Sequence, residues 1–269
     1  MPMDLTTLEA LQSLNQPVIE RKVTETGDGG RGTRLDALRN AALSVGARGA
    51  LIAETKIINK ALKQAERTLD TTYNFQPLMI EGRIIPAVLT ETRDLYTQEG
   101  DKTILLSGIS YKIEANPRFV SRAPTWREYL YMEPGELTPA SLQLLPRDSN
   151  EQEIWRRAVA EGWQQGIRQA DEIFEANSKR LERDYTGMIR YHKLALNNKI
   201  TLPTLAQSML PINSKGDTMT VDEQLLRITR LPAFNTNMSQ WEALGQEVGQ
   251  LQQPGETPAP AVRKLPEVR

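Results

Sequence analysis

The side chains that most often carry chemistry are scarce in this 269-residue chain, which holds no cysteine and one histidine, His192. Thiolate nucleophiles, disulfides, iron–sulfur clusters and cysteine zinc sites are thereby excluded. One histidine builds neither a multi-histidine zinc site nor the histidine-pair metal site of nucleic-acid nicking enzymes. His192 stands in a Tyr191-His192-Lys193 run on an expected helix, and reads as a solvated or partly packed side chain. Gly27, Gly29 and Gly32 match G-x-G-x-x-G, but a dinucleotide site needs a buried strand before it and a parallel strand after it. The preceding 18–23 run is highly charged, so these glycines read as a linker. No cofactor and no metal are expected. Carboxylates are plentiful but spread along helical faces, and Glu151 and Glu153 read as helix-cap residues. A cell-wall hydrolase is the enzyme alternative. It would draw on Glu114, Glu128 and Glu133 and would need two of them at catalytic spacing in one cleft. The last cluster is aromatic: Trp126, Tyr129 and Tyr131, interleaved with Arg127 and Glu128. It fits a stacking platform for sugars or bases, or core and interface anchors. Trp126, Arg127, Tyr129 and Tyr131 are the candidate partner-binding residues.

Lys and Arg total 33 against 34 Asp and Glu, a net charge of -1. A protein whose main task is neutralising DNA phosphates needs a basic surface, so no direct nucleic-acid binding is expected. A DNA-contacting channel subunit is a further alternative, and strongly salt-dependent DNA binding would support it. No run reaches the ~20 apolar residues of a membrane-spanning helix. The opening Met1-Pro2-Met3-Asp4-Leu5 lacks the basic start and apolar run of a secretory signal.

The elements that must position these residues are legible in outline. Residues 1–33 read as a flexible arm and 245–269 as a Pro-rich disordered tail, leaving one domain over 34–244. Residues 34–70 read as a long helix through Leu35, Leu38, Ala42, Val45, Gly49 and Ile52. Ala42, Gly46, Ala50 and Ala53 form a small-residue packing stripe. Gly46 and Gly49 each cost about 1 kcal/mol of helix propensity, which close packing must offset. A second long helix starts near Asn150, with Asp148, Ser149 and Asn150 all good caps and an acid or amide three residues on. Its buried stripe runs through Trp155, Val159, Gly162 and Gly166, and Gly187 is a place where it breaks. Thr103–Ile113 reads as a β-hairpin turning at Ser107-Gly108, so that Leu106 faces Ile109. Met209–Asn213 and Thr218–Val221 flank a turn at 214–217, and a following strand stops at Leu231-Pro232. The fold class is α+β: two long helices packed on a mainly antiparallel sheet built from two hairpins, with disordered termini.

Several stretches resemble the DotC/TraI family of type IVB secretion and IncI-type conjugation systems. They are Ala41-Ala42-Leu43-Ser44-Val45-Gly46-Ala47, Pro124-Thr125-Trp126-Arg127-Glu128-Tyr129-Leu130, Leu144-Leu145-Pro146, the 162–170 run from Gly162 to Ala170, and the 226–233 run from Leu226 to Ala233. They follow the family's order over about 35–242. The resemblance is to the conjugation component similar to DotC, not to the relaxase that shares the TraI name. It implies a structural subunit of an outer-membrane core complex, a scaffold and not a catalyst, periplasmic and associated with the outer membrane. It also implies partners: a DotD-like lipoprotein, a DotH-like secretin-complex subunit, and other copies in a ring-shaped assembly. Family members are lipoproteins. The cysteine that such an anchor needs is absent from this sequence, and that is its departure from the pattern.

Overall fold

A computed structural model describes residues 7–15, 28–98, 104–137, 144–209, 213–215, 218–220 and 224–241. The helices are α1 (Leu8–Gln12), α2 (Asp28–Gln64), α3 (Glu66–Thr72), α4 (Trp126–Leu130) and α5 (Ser149–Leu196). The strands are β1 (Ile84–Ile85), β2 (Val88–Gln98), β3 (Ile104–Ala115), β4 (Arg118–Phe119), β5 (Thr204–Met209), β6 (Asn213–Lys215), β7 (Thr218–Thr220) and β8 (Gln224–Arg230). The class is α+β and the pairing antiparallel, as the sequence indicates. Among the described residues, however, the strands form separate two-stranded ladders, β1–β4, β2–β3, β5–β8 and β6–β7, where one shared sheet was expected. The chain divides, between Arg190 and Tyr191 within α5, into two compact units.

The first unit is built on α2 and α5, which run in the same direction, as the facing pairs Arg34–Glu151 and Ala47–Gly166 show. Small residues let their backbones touch. The Leu43 carbonyl lies against Gly162, the Ala47 carbonyl against Gly166 and the Val159 carbonyl against Gly46, and a β-carbon on any of these glycines would overlap backbone. The small-residue stripe and the Gly162/Gly166 pair are therefore a close helix contact, as read. Around it, Leu38, Ala42, Val45, Trp155, Ala158 and Val159 form one buried cluster.

Leu11 of α1 completes that cluster and is fully buried. The Trp155 indole donates to the Leu11 carbonyl at 2.9 Å, and the Gln152 amide to the Gln12 carbonyl at 2.8 Å. Part of the 1–33 stretch that reads as a flexible arm is thus ordered against the long helices. Residues 8–12 are a docked helix, because one leucine fills the gap that Gly49 leaves beside Trp163. Helix α2 likewise begins at Asp28 instead of 34, so Gly29 and Gly32 are helical and form no phosphate loop. Gly27 and the 245–269 tail lie outside the described residues.

Of the three possible caps for α5, Asp148 is the one used: its carboxylate accepts the Glu151 amide at 2.7 Å. Glu151 answers by accepting the Arg147 amide at 2.9 Å and both arms of the Arg34 guanidinium at 2.7 and 3.0 Å. Glu151, whose amide the cap receives, is thus also the buried tie between the two long helices. Gly187 does not break α5. It is where the helix meets β2, and a β-carbon there would lie 2.6 Å from the Val88 side chain and 2.9 Å from the Leu89 amide.

The β2–β3 ladder pairs Val88 with Ala115 at one end and Gln98 with Ile104 at the other. The expected turn at Ser107-Gly108 is not there. β3 runs straight through it, Leu106 pairs with Tyr96, and Ile109 pairs with Arg93. Gly108 falls opposite Asp94, whose φ of 51° is left-handed, so the glycine marks a mid-ribbon distortion and not a reversal. The base of the ribbon is buried at Val88 and Leu89, whereas Thr92, Arg93, Asp94 and Ile109 are exposed.

In the second unit Tyr191, Leu194 and Ile200 are buried, and the Tyr191 hydroxyl donates to the Thr201 carbonyl at 3.2 Å. Burial pushes that phenol up to about 12. β5 pairs with β8 from Thr204–Arg230 to Met209–Gln224, and β6 pairs with β7 beyond it. Residues 216–217 of the expected turn at 214–217 lie outside the described residues. β8 ends at Arg230, where Pro232 follows.

Candidate functional site

The four sequence-picked residues sit on α4 and just beyond it, against α3, the Phe75 segment and α5. Trp126 is 1% exposed, in a second buried cluster with Leu62, Phe75, Met79, Leu130, Leu181 and Met188. Its indole N–H donates to Asp70 Oδ1 at 2.7 Å. Trp126 is therefore packed in the core, and the only polar atom of its side chain is bonded inside the fold.

Arg127 is locked as well. It donates to Asp70 Oδ1 at 2.7 Å and Asp70 Oδ2 at 3.1 Å, bonds Glu66, and stacks 4.5 Å over the Trp126 ring. Glu66 and Asp70 stand four apart on α3, so one guanidinium spans both. The hydrogen bonds from Arg127 and Trp126 hold the Asp70 carboxyl below the usual carboxylate range.

Tyr129 is half-buried. It stacks on Phe75, with ring centres 5.9 Å apart, and its hydroxyl donates to Asp184 Oδ2 at 3.2 Å. Burial first, then the Asp184 charge, pushes its phenol well above the ordinary range. Arg180 covers the ring at 5.3 Å. Tyr131 is the most open of the four, at 39% exposure, with its ring stacked against Trp126. The chain leaving α4 is pinned by Asn59 of α2, whose amide donates to the Met132 carbonyl at 2.7 Å and accepts the Met132 N–H at 3.3 Å.

A recess of about 240 Å³ opens beside this cluster, between the Tyr73–Gln76 and Arg122–Trp126 segments, with Asp70 in its wall. The three acids weighed for hydrolysis are not joined: Glu114 pairs with Lys112 at 2.9 Å, Glu128 with Arg122 at 3.2 Å, and no bond among the described residues links any two of Glu114, Glu128 and Glu133. No three His, Asp or Glu side chains among the described residues converge as metal ligands. His192 packs edge-on against Tyr191.

Sequence reasoning missed Glu66, Asp70, Asn59 and Asp184, the residues that lock this cluster. The signal for the first two was their helical spacing of four, but nothing in the sequence tied it to an arginine 57 positions further on. What the fold and the cluster define is a helical framework with two-stranded ribbons, in which Trp126 and Tyr129 hydrogen-bond to Asp70 and Asp184 and Arg127 forms ion pairs with Asp70 and Glu66. A family model described as type IV secretory system, conjugal DNA-protein transfer (T4SS_TraI) matches residues 32–243, and the chain belongs to that family. It is thus a component of a type IV secretion or conjugation system. No curated protein matches the chain. Among the described residues no helix is long and apolar enough to cross a membrane.

Proposed function

We propose that the chain is a structural subunit of the outer-membrane core complex of a type IVB secretion or conjugation system, facing the periplasm. It supports channel assembly beside a DotD-like lipoprotein, a DotH-like subunit and other copies of itself, and it does no chemistry of its own. The observation that carries the reading is the family match over 32–243, joined to the DotC-like segments that follow the family's order through the same span. The surface chemistry is consistent with assembly. Met209, Leu225, Leu231, Phe234 and Met238 are exposed in the second unit, and apolar side chains of this kind anchor protein interfaces. With Trp126 in the core, the contact role proposed for the 126–131 segment rests on Tyr131 at its open end.

The test is fractionation of the native host followed by co-purification. The chain is expected with the envelope, bringing down the two partner subunits, and a deletion is expected to abolish transfer. Recovery in the cytosolic fraction without secretion partners would falsify the reading.

A further inference from the structure

The outer edge of β2 is closed at its base and open beyond it. Arg190 donates to the Leu89 carbonyl at 2.6 Å, and Gly187 lies against both the amide and the carbonyl of Leu89. Leu89 therefore turns its backbone groups away from β3 and toward α5. In an antiparallel ladder this alternates along the strand, so Glu91 and Arg93 also turn their amides and carbonyls outward, while Thr92 bonds to β3. Among the described residues nothing bonds the outward groups of Glu91 and Arg93. An exposed edge of this kind is a template for another strand.

The side chains along this edge are self-complementary. Pair β2 with a second β2 in antiparallel sense about Thr92, and Glu91 of each copy faces Arg93 of the other, while Thr92 faces itself. The hydrogen-bonding parity agrees, since the outward groups are those of residues 91 and 93. The same operation on β3 about Ser110 sets Ile109 against Tyr111 and brings no opposite charges together.

The geometry points to a homodimer in which two copies of this chain join β2 to β2 about Thr92, through the open stretch from Glu91 to Arg93. Arg93 is 72% exposed and bonds Glu91 of its own strand at 2.7 Å, while Arg190 holds Glu91 at 3.2 Å; in the dimer Arg93 exchanges that bond for Glu91 of the other copy. A two-fold contact is closed. It describes the subunit paired with itself and stands independently of the secretion-complex reading.

The chain has no cysteine, so single-cysteine variants read the contact directly. Thr92 would face its copy as a non-hydrogen-bonded pair, with Cα atoms about 4.5 Å apart, inside the roughly 4.4–6.8 Å range that a disulfide bridges. The full chain carrying Thr92→Cys is expected to form a disulfide dimer on mild oxidation, and the chain carrying Ser110→Cys to remain a monomer. Equal cross-linking of the two variants, or none in either, overturns the proposal. Sedimentation of the uncross-linked protein gives the second arm. Arg93→Glu is expected to weaken dimerisation about tenfold by setting like charges opposite each other, and adding Glu91→Arg to restore it. A wild-type chain that stays monomeric at high micromolar concentration, or an Arg93→Glu variant that dimerises unchanged while melting like the wild type, also defeats it.

Discussion

Trp126 is the residue whose role changes most between sequence and fold. An aromatic next to an arginine and three residues from another aromatic reads as a surface anchor, yet its ring fills the core and its N–H is bonded to Asp70. Removing that donor leaves part of the Asp70 carboxylate without its indole partner, though Arg127 still holds it. Trp126→Phe is therefore expected to cost about 1.5–3 kcal/mol, the range for a lost hydrogen bond to a charged group. Trp126→Ala adds a cavity and should cost about 3–5 kcal/mol. Urea unfolding measures both, and an alanine variant as stable as the wild type would return Trp126 to the surface. Glu54 makes the opposite kind of case. Burial first, and then the charge of Asp171, push its carboxyl up. A raised folded-state value means that the protonated form is favoured on folding, so stability is full at low pH and is lost as pH rises through the folded value. Glu54→Gln is expected to raise stability at pH 7 by roughly 0.5 kcal/mol after allowance for solvent screening, and to change little at pH 4. Melting curves at the two pH values decide it.

At the scale of elements, the glycines separate by what a β-carbon would meet. Gly162 and Gly166 face backbone carbonyls of α2, which cannot yield without parting the helices. Alanine at either is expected to destabilise by about 1–3 kcal/mol despite its better helix propensity. Gly32 is exposed in α2 with open space around its missing side chain, and Gly32→Ala should stabilise by roughly 0.5–1 kcal/mol. Opposite signs in thermal unfolding confirm the contact, and equal effects refute it. The same glycines show what a sequence can disclose. The α2–α5 contact was legible because small residues at helical spacing have few other uses. Gly108 and Gly187 were misread as a turn and a break because a glycine announces permissiveness and not its cause. The cause lay in residues far along the chain, Asp94 opposite one and Val88 with Leu89 against the other. The cap at Asp148 was legible for the converse reason, since donor and acceptor stand three residues apart. The Arg127–Asp70 and Asn59–Met132 bonds were not, because they join residues 57 and 73 positions apart.

At the scale of the whole chain, the two units differ in how their ladders are secured. The first unit closes backbone against backbone at the α2–α5 crossing and buries two side-chain clusters. In the second, β5 and β8 hold only half-buried or exposed residues, and Met209 and Leu225 are open to solvent. Local opening is governed by how much apolar surface a segment buries, and two strands alone are marginal in water. Amides of β5 and β8 are therefore expected to exchange with solvent at least about a hundredfold faster than those of Val45 or Val159 in the isolated protein. If the exposed apolar residues are assembly contacts, binding a partner subunit must bury them, and the ladder should then slow toward the helical rate while the α2–α5 amides stay as they were. Native-state hydrogen exchange on the free and the co-purified chain measures both halves of the expectation. A ladder already protected in the free chain would mean that the exposed apolar residues do not set its stability, and a ladder unchanged in the complex would place the partner's contact elsewhere.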